Sequence, residues 1–141
     1  MQSFLDIRGI KVADYDGITA IETQSMVAKE AFTRKQISSA LRKTNCFGKV
    51  ALGPEMLGYI IYEIKDDSLA IIRLAVHPAV RKQGVATALL NQLIIEKPRK
   101  VKTFHITVPE RALACQLFLR GLGFVCVASL GTEYYFELGD A

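Results

Sequence analysis

The hydrophobic pattern changes period repeatedly along the chain, and each change marks an element. Residues 5–12 read as a strand. After Asp14, a residue suited to an N-cap, Ile18 and Ile21 begin a helix. Thr33 to Gln36 (TRKQ) has capping-box form ahead of Ile37, Ala40 and Leu41, so a second short helix follows. Residues 46–52 form a strand. Leu57 to Lys65 and Leu69 to Val76 are β-branched and aromatic runs parted by Asp66-Asp67-Ser68, the pattern of an antiparallel hairpin. From Gly84 the period lengthens: Val85, Ala88, Leu89 and Leu93 fall at helical spacing until Pro98 forbids continuation. Between Lys102 and Val108, Phe104, Ile106 and Val108 alternate with His105 and Thr107, as a strand requires. Ala112 to Leu122 is a helix ending at GLGF, and 124–129 and 133–138 are closing strands.

The order β-α-α-β-β-β-α-β-α-β-β predicts an α+β fold: an antiparallel meander, then a strand-helix-strand crossover that makes the next pair parallel. No repeat or linker divides the sequence, so residues 1–141 are expected to form one domain. Ligands in such sheets sit outside the carboxyl ends of strands, and Val76 to Gly84 lies at such an end.

Composition narrows the class without changing this picture. The 141 residues are 50% hydrophobic and 23% charged, as in a globular chain with a sizeable core. No apolar run reaches the roughly 18 residues of a membrane span, and residues 1–10 carry Asp6 and Arg8 instead of a signal core, which predicts a cytoplasmic protein with no membrane partner. Cys46, Cys115 and Cys126 are odd in number and lack CxxC spacing, so no disulfide framework or metal site is expected. The net charge of +4 suits an anionic ligand, but its lysines and arginines are dispersed. Nucleic-acid binding would need a denser stripe or interleaved aromatics.

The stretch VHPAVRKQGVATALL, Val76 to Leu90, carries the candidate chemistry. A loop between a strand end and a helix start exposes backbone N–H groups that no helical carbonyl accepts, and the helix dipole adds partial positive charge. Gly84 and Ala86 let an anion approach the amides of Gln83, Gly84, Val85, Ala86 and Thr87, while Arg81 and Lys82 add charge. Neither a P-loop nor a dinucleotide fingerprint is present.

This stretch resembles the acetyl-coenzyme A signature R/Q-x-x-G-x-G/A of the GCN5-related N-acetyltransferases, with Arg81, Gly84 and Ala86 on its fixed positions. The preceding strand IIRLAVHP, the following helix TALLNQLI and the later helix ACQLFLRGLGF match in order. The closest subfamily on these motifs is the ribosomal-protein N-terminal alanine acetyltransferases. The resemblance implies a single domain with a mixed, mostly antiparallel sheet, helices on both faces, and strands splayed at the cofactor site. It also implies acetyl-coenzyme A as co-substrate, with its pantetheine arm beside the backbone of Leu74, Ala75 and Val76 and its pyrophosphate on the amides of Gln83 to Thr87.

The same resemblance exposes two departures. Relatives are understood to use a glutamate on the fifth strand as base and a tyrosine in the last helix as acid. Thr107 and Leu119 stand at those positions here. A threonine hydroxyl is no base at neutral pH, and leucine donates nothing. His105, Glu22 and Tyr134 are the remaining candidates: a histidine two residues before Thr107 on the same strand face or simply a hydrogen-bonded core histidine, a first-helix carboxylate facing the acceptor or simply solvated, and a closing-strand hydroxyl. Either Tyr134 or Tyr135 is available, since one face of a strand is core. Arg73 interrupts an apolar run as a cleft residue or a packed surface arginine, His77 caps a strand end, and Cys115 belongs to a helical apolar stripe.

These readings predict direct acetyl transfer to a primary amine, a protein or peptide N-terminus or a small molecule. The acceptor would enter between Lys29 to Thr33 and Ser129 to Glu133 of a monomer or homodimer. The competing reading is a coenzyme A binding sensor or interaction module that lacks proton-transfer groups.

Overall fold

The computed structural model describes residues 5–25, 31–81 and 84–139. Seven strands and four helices follow the expected order: β1 Asp6–Gly9, α1 Tyr15–Ser25, α2 Arg34–Leu41, β2 Cys46–Leu52, β3 Met56–Lys65, β4 Ser68–Val76, α3 Val85–Glu96, β5 Thr103–Pro109, α4 Leu113–Gly121, β6 Val125–Leu130 and β7 Glu133–Gly139. The fold is α+β, and its strands pair in the order β1-β2-β3-β4-β5-β7-β6. β1 pairs with β2 antiparallel and β4 pairs with β5 in parallel, as the crossover through α3 requires. The last strand inserts between β5 and β6, so β6 takes the sheet edge.

The chain divides into two compact units, residues 1–62 with 73–97 and residues 63–72 with 98–141. In the first, Tyr15, Ile18 and Ile21 of α1 and Ile37 of α2 bury against Val50, Tyr59 and Ile61 of β2 and β3. β1 stops earlier than its apolar run suggests. The Asp14 carboxylate accepts Lys11 N–H at 2.7 Å and two Arg8 guanidinium bonds, bending the backbone into a short 3-10 turn over Val12–Asp14. The box at the start of α2 forms as expected: Thr33 Oγ1 accepts Gln36 N–H, and Gln36 Oε1 accepts Thr33 N–H.

In the second unit, β5 and β7 form a seven-residue antiparallel ladder from Thr103↔Gly139 to Pro109↔Glu133. Phe104, Ile106 and Phe136 are buried on one of its faces. The β6–β7 hairpin turns at Gly131, whose φ of 66° favours glycine. Among the described residues no helix is long and apolar enough to cross a membrane.

Candidate functional site

The turn after β4 is built from its own sequence. His77 N–H donates to Leu57 O at 2.7 Å, and His77 Nδ1 accepts Ala79 N–H at 3.1 Å. Pro78, lacking an N–H, opens the 3-10 turn Pro78–Val80. His77 therefore caps this turn, as expected. Arg81 leaves the turn extended and exposed.

Gly84 sits directly before α3 with φ 86° and ψ 7°, a left-handed conformation that costs other L-residues about 1–2 kcal/mol. A Cβ there would meet nothing within 4 Å, so the glycine answers a dihedral requirement and leaves open space above it. The first helical bond runs from Ala88 N to Gly84 O at 2.9 Å. Among the described residues no side chain caps the start of α3, and its first turn holds no acidic residue. The amides of Val85, Ala86 and Thr87 thus present the anion-seeking end of a twelve-residue helix. Lys82 and Gln83, expected to complete this cradle, lie outside the described residues, as do Lys29 and Glu30 of the expected acceptor segment.

Alternate residues of β3 and β4 serve opposite layers. A Cβ on Gly58 would lie 3.0 Å from Ala75 O, 3.1 Å from Val85 Cγ1 and 3.4 Å from Val76 Cγ2, so only glycine lets the strand pair approach the start of α3 this closely. Tyr59 and Ala75 instead join the core under α1 and α2. Sequence reasoning passed over Gly58, although an isolated glycine inside the apolar run MLGYII is the usual mark of such an approach. The parallel register of β4 with β5 takes in Ser68 to Ile71, and β4 runs on through Leu74, Ala75 and Val76.

On the α1 and α2 side stands an ion pair between buried Glu22 and half-buried Arg73. Glu22 is 1% exposed, not solvated. Its Oε2 accepts Arg73 Nε–H at 3.2 Å, and its Oε1 accepts both the Arg73 Nη2 group and the Phe32 amide, the latter at 2.9 Å. The Arg73 guanidinium lies 4.1 Å from the Phe32 ring centroid. A carboxylate held by three donors is committed to anchoring and is poorly placed to take a proton from a substrate. Arg73 is half-buried, packed over the Phe32 ring and paired with a helix carboxylate.

The remaining candidates belong to the second unit. His105 stands opposite Ala70 and Glu137, and its ring lies 5.2 Å from that of Tyr135. Burial holds its imidazole below the ordinary value, while Glu137 pulls the other way. His105 lies inside the parallel register of β5 with β4, which runs from Ser68↔Thr103 to Ile71↔Ile106. Tyr134, opposite Val108, shares its face with buried Phe136, whereas Tyr135 shares the face of His105 and exposed Thr107. Leu119 is 0% exposed, a core residue of α4. Burial pushes the Cys115 thiol above its ordinary value, the direction that disfavours a thiolate. The α4 stripe also buries Gln116, which the sequence reading missed: its Nε2 donates to Pro109 O at 3.1 Å and Glu110 O at 2.9 Å. Among the described residues no group of three or more His, Cys, Asp or Glu side chains is arranged to hold a metal ion.

Residues 15–124 match the model of the acetyltransferase (GNAT) family. The chain belongs to that family. No curated protein matches it in sequence. Among solved structures, the PaiA N-acetyltransferase of Thermoplasma acidophilum in complex with coenzyme A superposes with TM-score 0.85 at 14% identity, covering 96% of this chain and 98% of that one. The ribosomal-protein alanine N-acetyltransferase of Escherichia coli gives 0.85 at 19%, covering 97% and 94%. Ard1 of Thermoplasma volcanium gives 0.85 at 19%, covering 98% and 99%. At these identities the likeness shows a shared GNAT fold.

Proposed function

We propose that this GNAT protein is an acetyl-coenzyme A dependent N-acetyltransferase that moves the acetyl group directly to a primary amine, with a protein or peptide N-terminus as acceptor. The observation that carries the reading is the start of α3: a left-handed Gly84 with open space above it, followed by amides that no side chain among the described residues caps. That arrangement, with Arg81 exposed beside it, fits a diphosphate. The backbone of Leu74, Ala75 and Val76, beyond the four-residue register with β5, is the edge against which a pantetheine amide would lie. Lys82 and Gln83 join the site by their place in the signature, and the whole chain works as one domain. Bound acetyl-coenzyme A supplies an activated thioester, whose C–S bond breaks as the C–N bond forms while the amine loses a proton and the thiolate gains one. Backbone positioning, with the proton passing through water, accounts for transfer without a glutamate or tyrosine at positions 107 and 119.

A second reading, a coenzyme A binding module without turnover, is favoured by one observation: Leu119, where relatives are understood to place an acid, is sealed in the core. Mass spectrometry of free-amine peptides and small amines incubated with protein and acetyl-coenzyme A separates the two. Acetylated product above the uncatalysed rate supports the enzyme. Tight binding with no product, read as a ligand-dependent rise in melting temperature, supports the module.

A further inference from the structure

Among the described residues the carboxylate of Glu22 is the most deeply buried charge outside the donor site. The rest of the buried face of α1 is formed by Tyr15, Ile18 and Ile21. A buried ion pair is no more stabilising than well-packed hydrophobic residues of similar volume, and what it adds is fixed geometry. Here the geometry is specific. Arg73 presents Nε and Nη2 side-on to the two carboxylate oxygens, its guanidinium covers the Phe32 ring, and the Phe32 amide returns to Glu22 Oε1. Phe32 immediately precedes Thr33, the N-cap of α2. Arg73 immediately precedes Leu74, the first residue of the proposed pantetheine edge. One carboxylate thus registers the last turns of α1, the chain leading into α2, and β4 at the point where the donor strand begins.

The clamp and the phosphate cradle are on opposite sides of β4. Gly58, Val76 and Val85 pack together on the α3 side, while Tyr59 and Ala75 face the core that includes Phe32. An amine must reach a thioester carbon from the side that the coenzyme does not fill. We propose that Glu22 and Arg73 are positioning residues for the acceptor: the pair holds the chain entering α2 against β4 in the one arrangement that receives the amine, and contributes little to donor binding. This rests on the transferase reading above.

The test uses the full chain with the double variant Glu22→Leu/Arg73→Met, which removes both charges together, and with acetyl-coenzyme A and free-amine hexapeptides as probes. The melting temperature is expected to stay within about 3 °C of wild type. The Kd for coenzyme A should stay within about twofold, while the peptide KM rises at least about tenfold, a difference of one decade per 1.4 kcal/mol. An unchanged peptide KM overturns the inference. So does a parallel loss of coenzyme A affinity and melting temperature, which a merely structural pair would give. If the double variant fails to fold, Glu22→Gln carries the same comparison of KM against Kd, since its amide oxygen still accepts the Phe32 N–H. If wild-type protein acetylates none of the peptides, the transferase reading has failed and the inference falls with it.

Discussion

Two helices in this chain begin shortly after a strand end that carries a proline, and their first turns are built in opposite ways. Before α3, the backbone swings through left-handed Gly84, and the space above it stays clear. Before α4, Ala112 has φ −88°, Ala112 N–H returns to Pro109 O, and the buried Gln116 amide bonds the carbonyls of both Pro109 and Glu110. Glu110 N–H is in turn held by Thr132 O at 2.9 Å. Among the described residues neither helix has a side-chain cap at its N-terminus. In the corner before α4 the preceding carbonyls are held by a side chain from the helix it introduces, whereas no such side chain reaches back to the corner before α3 among the described residues. We propose that the corner before α3 is the one a ligand completes.

Substitutions matched across the two corners test this contrast. Gly84→Val places a β-branched side chain at positive φ, adding about 1–2 kcal/mol of strain and filling the space before the amides. Coenzyme A affinity measured by calorimetry should fall at least about 30-fold. Ala112→Val, in an ordinary conformation, should leave that affinity within about twofold. Gln116→Ala reverses the pattern. It strips the Pro109 and Glu110 carbonyls of a hydrogen-bond partner, a loss of about 1 kcal/mol that should lower the melting temperature by a few degrees and leave coenzyme A binding unchanged.

Arg81→Glu acts on the open corner by charge alone. Arg81 is exposed, so the expected loss is smaller, about five- to tenfold at low salt, and should shrink as ionic strength rises. A loss insensitive to salt would point to misfolding of the turn.

The smallest effect concerns how a corner is closed. The Val12–Asp14 turn is held by a carboxylate, and Arg8, above all through its hydrogen bonds, keeps Asp14 below the usual carboxylate value. Its contribution is therefore present above the unfolded carboxylate pKa of about 3.9 and is lost as pH falls below that through the lowered folded value. Asp14→Asn should flatten the acid limb of a thermal-denaturation profile, whereas Gln116→Ala, whose closure carries no charge, should lower the melting temperature equally at pH 4 and pH 7.

What the sequence revealed follows the range of the interactions involved. The Thr33 box, the Asp66-Asp67 hairpin, the period change at Gly84 and the stop at Pro98 depend on neighbours within a few residues, and the observed elements start and stop within a few residues of those marks. The left-handed conformation of Gly84 was not anticipated: the sequence reading took the glycine as room for an anion, and its φ of 86° adds a dihedral requirement. Long-range partners were not legible. Glu22 meets Arg73 across 51 positions of sequence, and nothing local marks either as half of an ion pair. The insertion of β7 between β5 and β6 fixed which tyrosine stands beside His105, a matter of register that alternation alone leaves open. Gln116 looked like one polar residue in an amphipathic helix until the carbonyls it serves were in place.

The central claim, that the open start of α3 receives a diphosphate, is most directly tested by titrating the protein with coenzyme A and with pantetheine, which has the same arm but no phosphates. Coenzyme A should bind at least about 100-fold more tightly, with an advantage that fades as salt is added. Equal affinity for the two, or an advantage of coenzyme A that survives Gly84→Val, would contradict it.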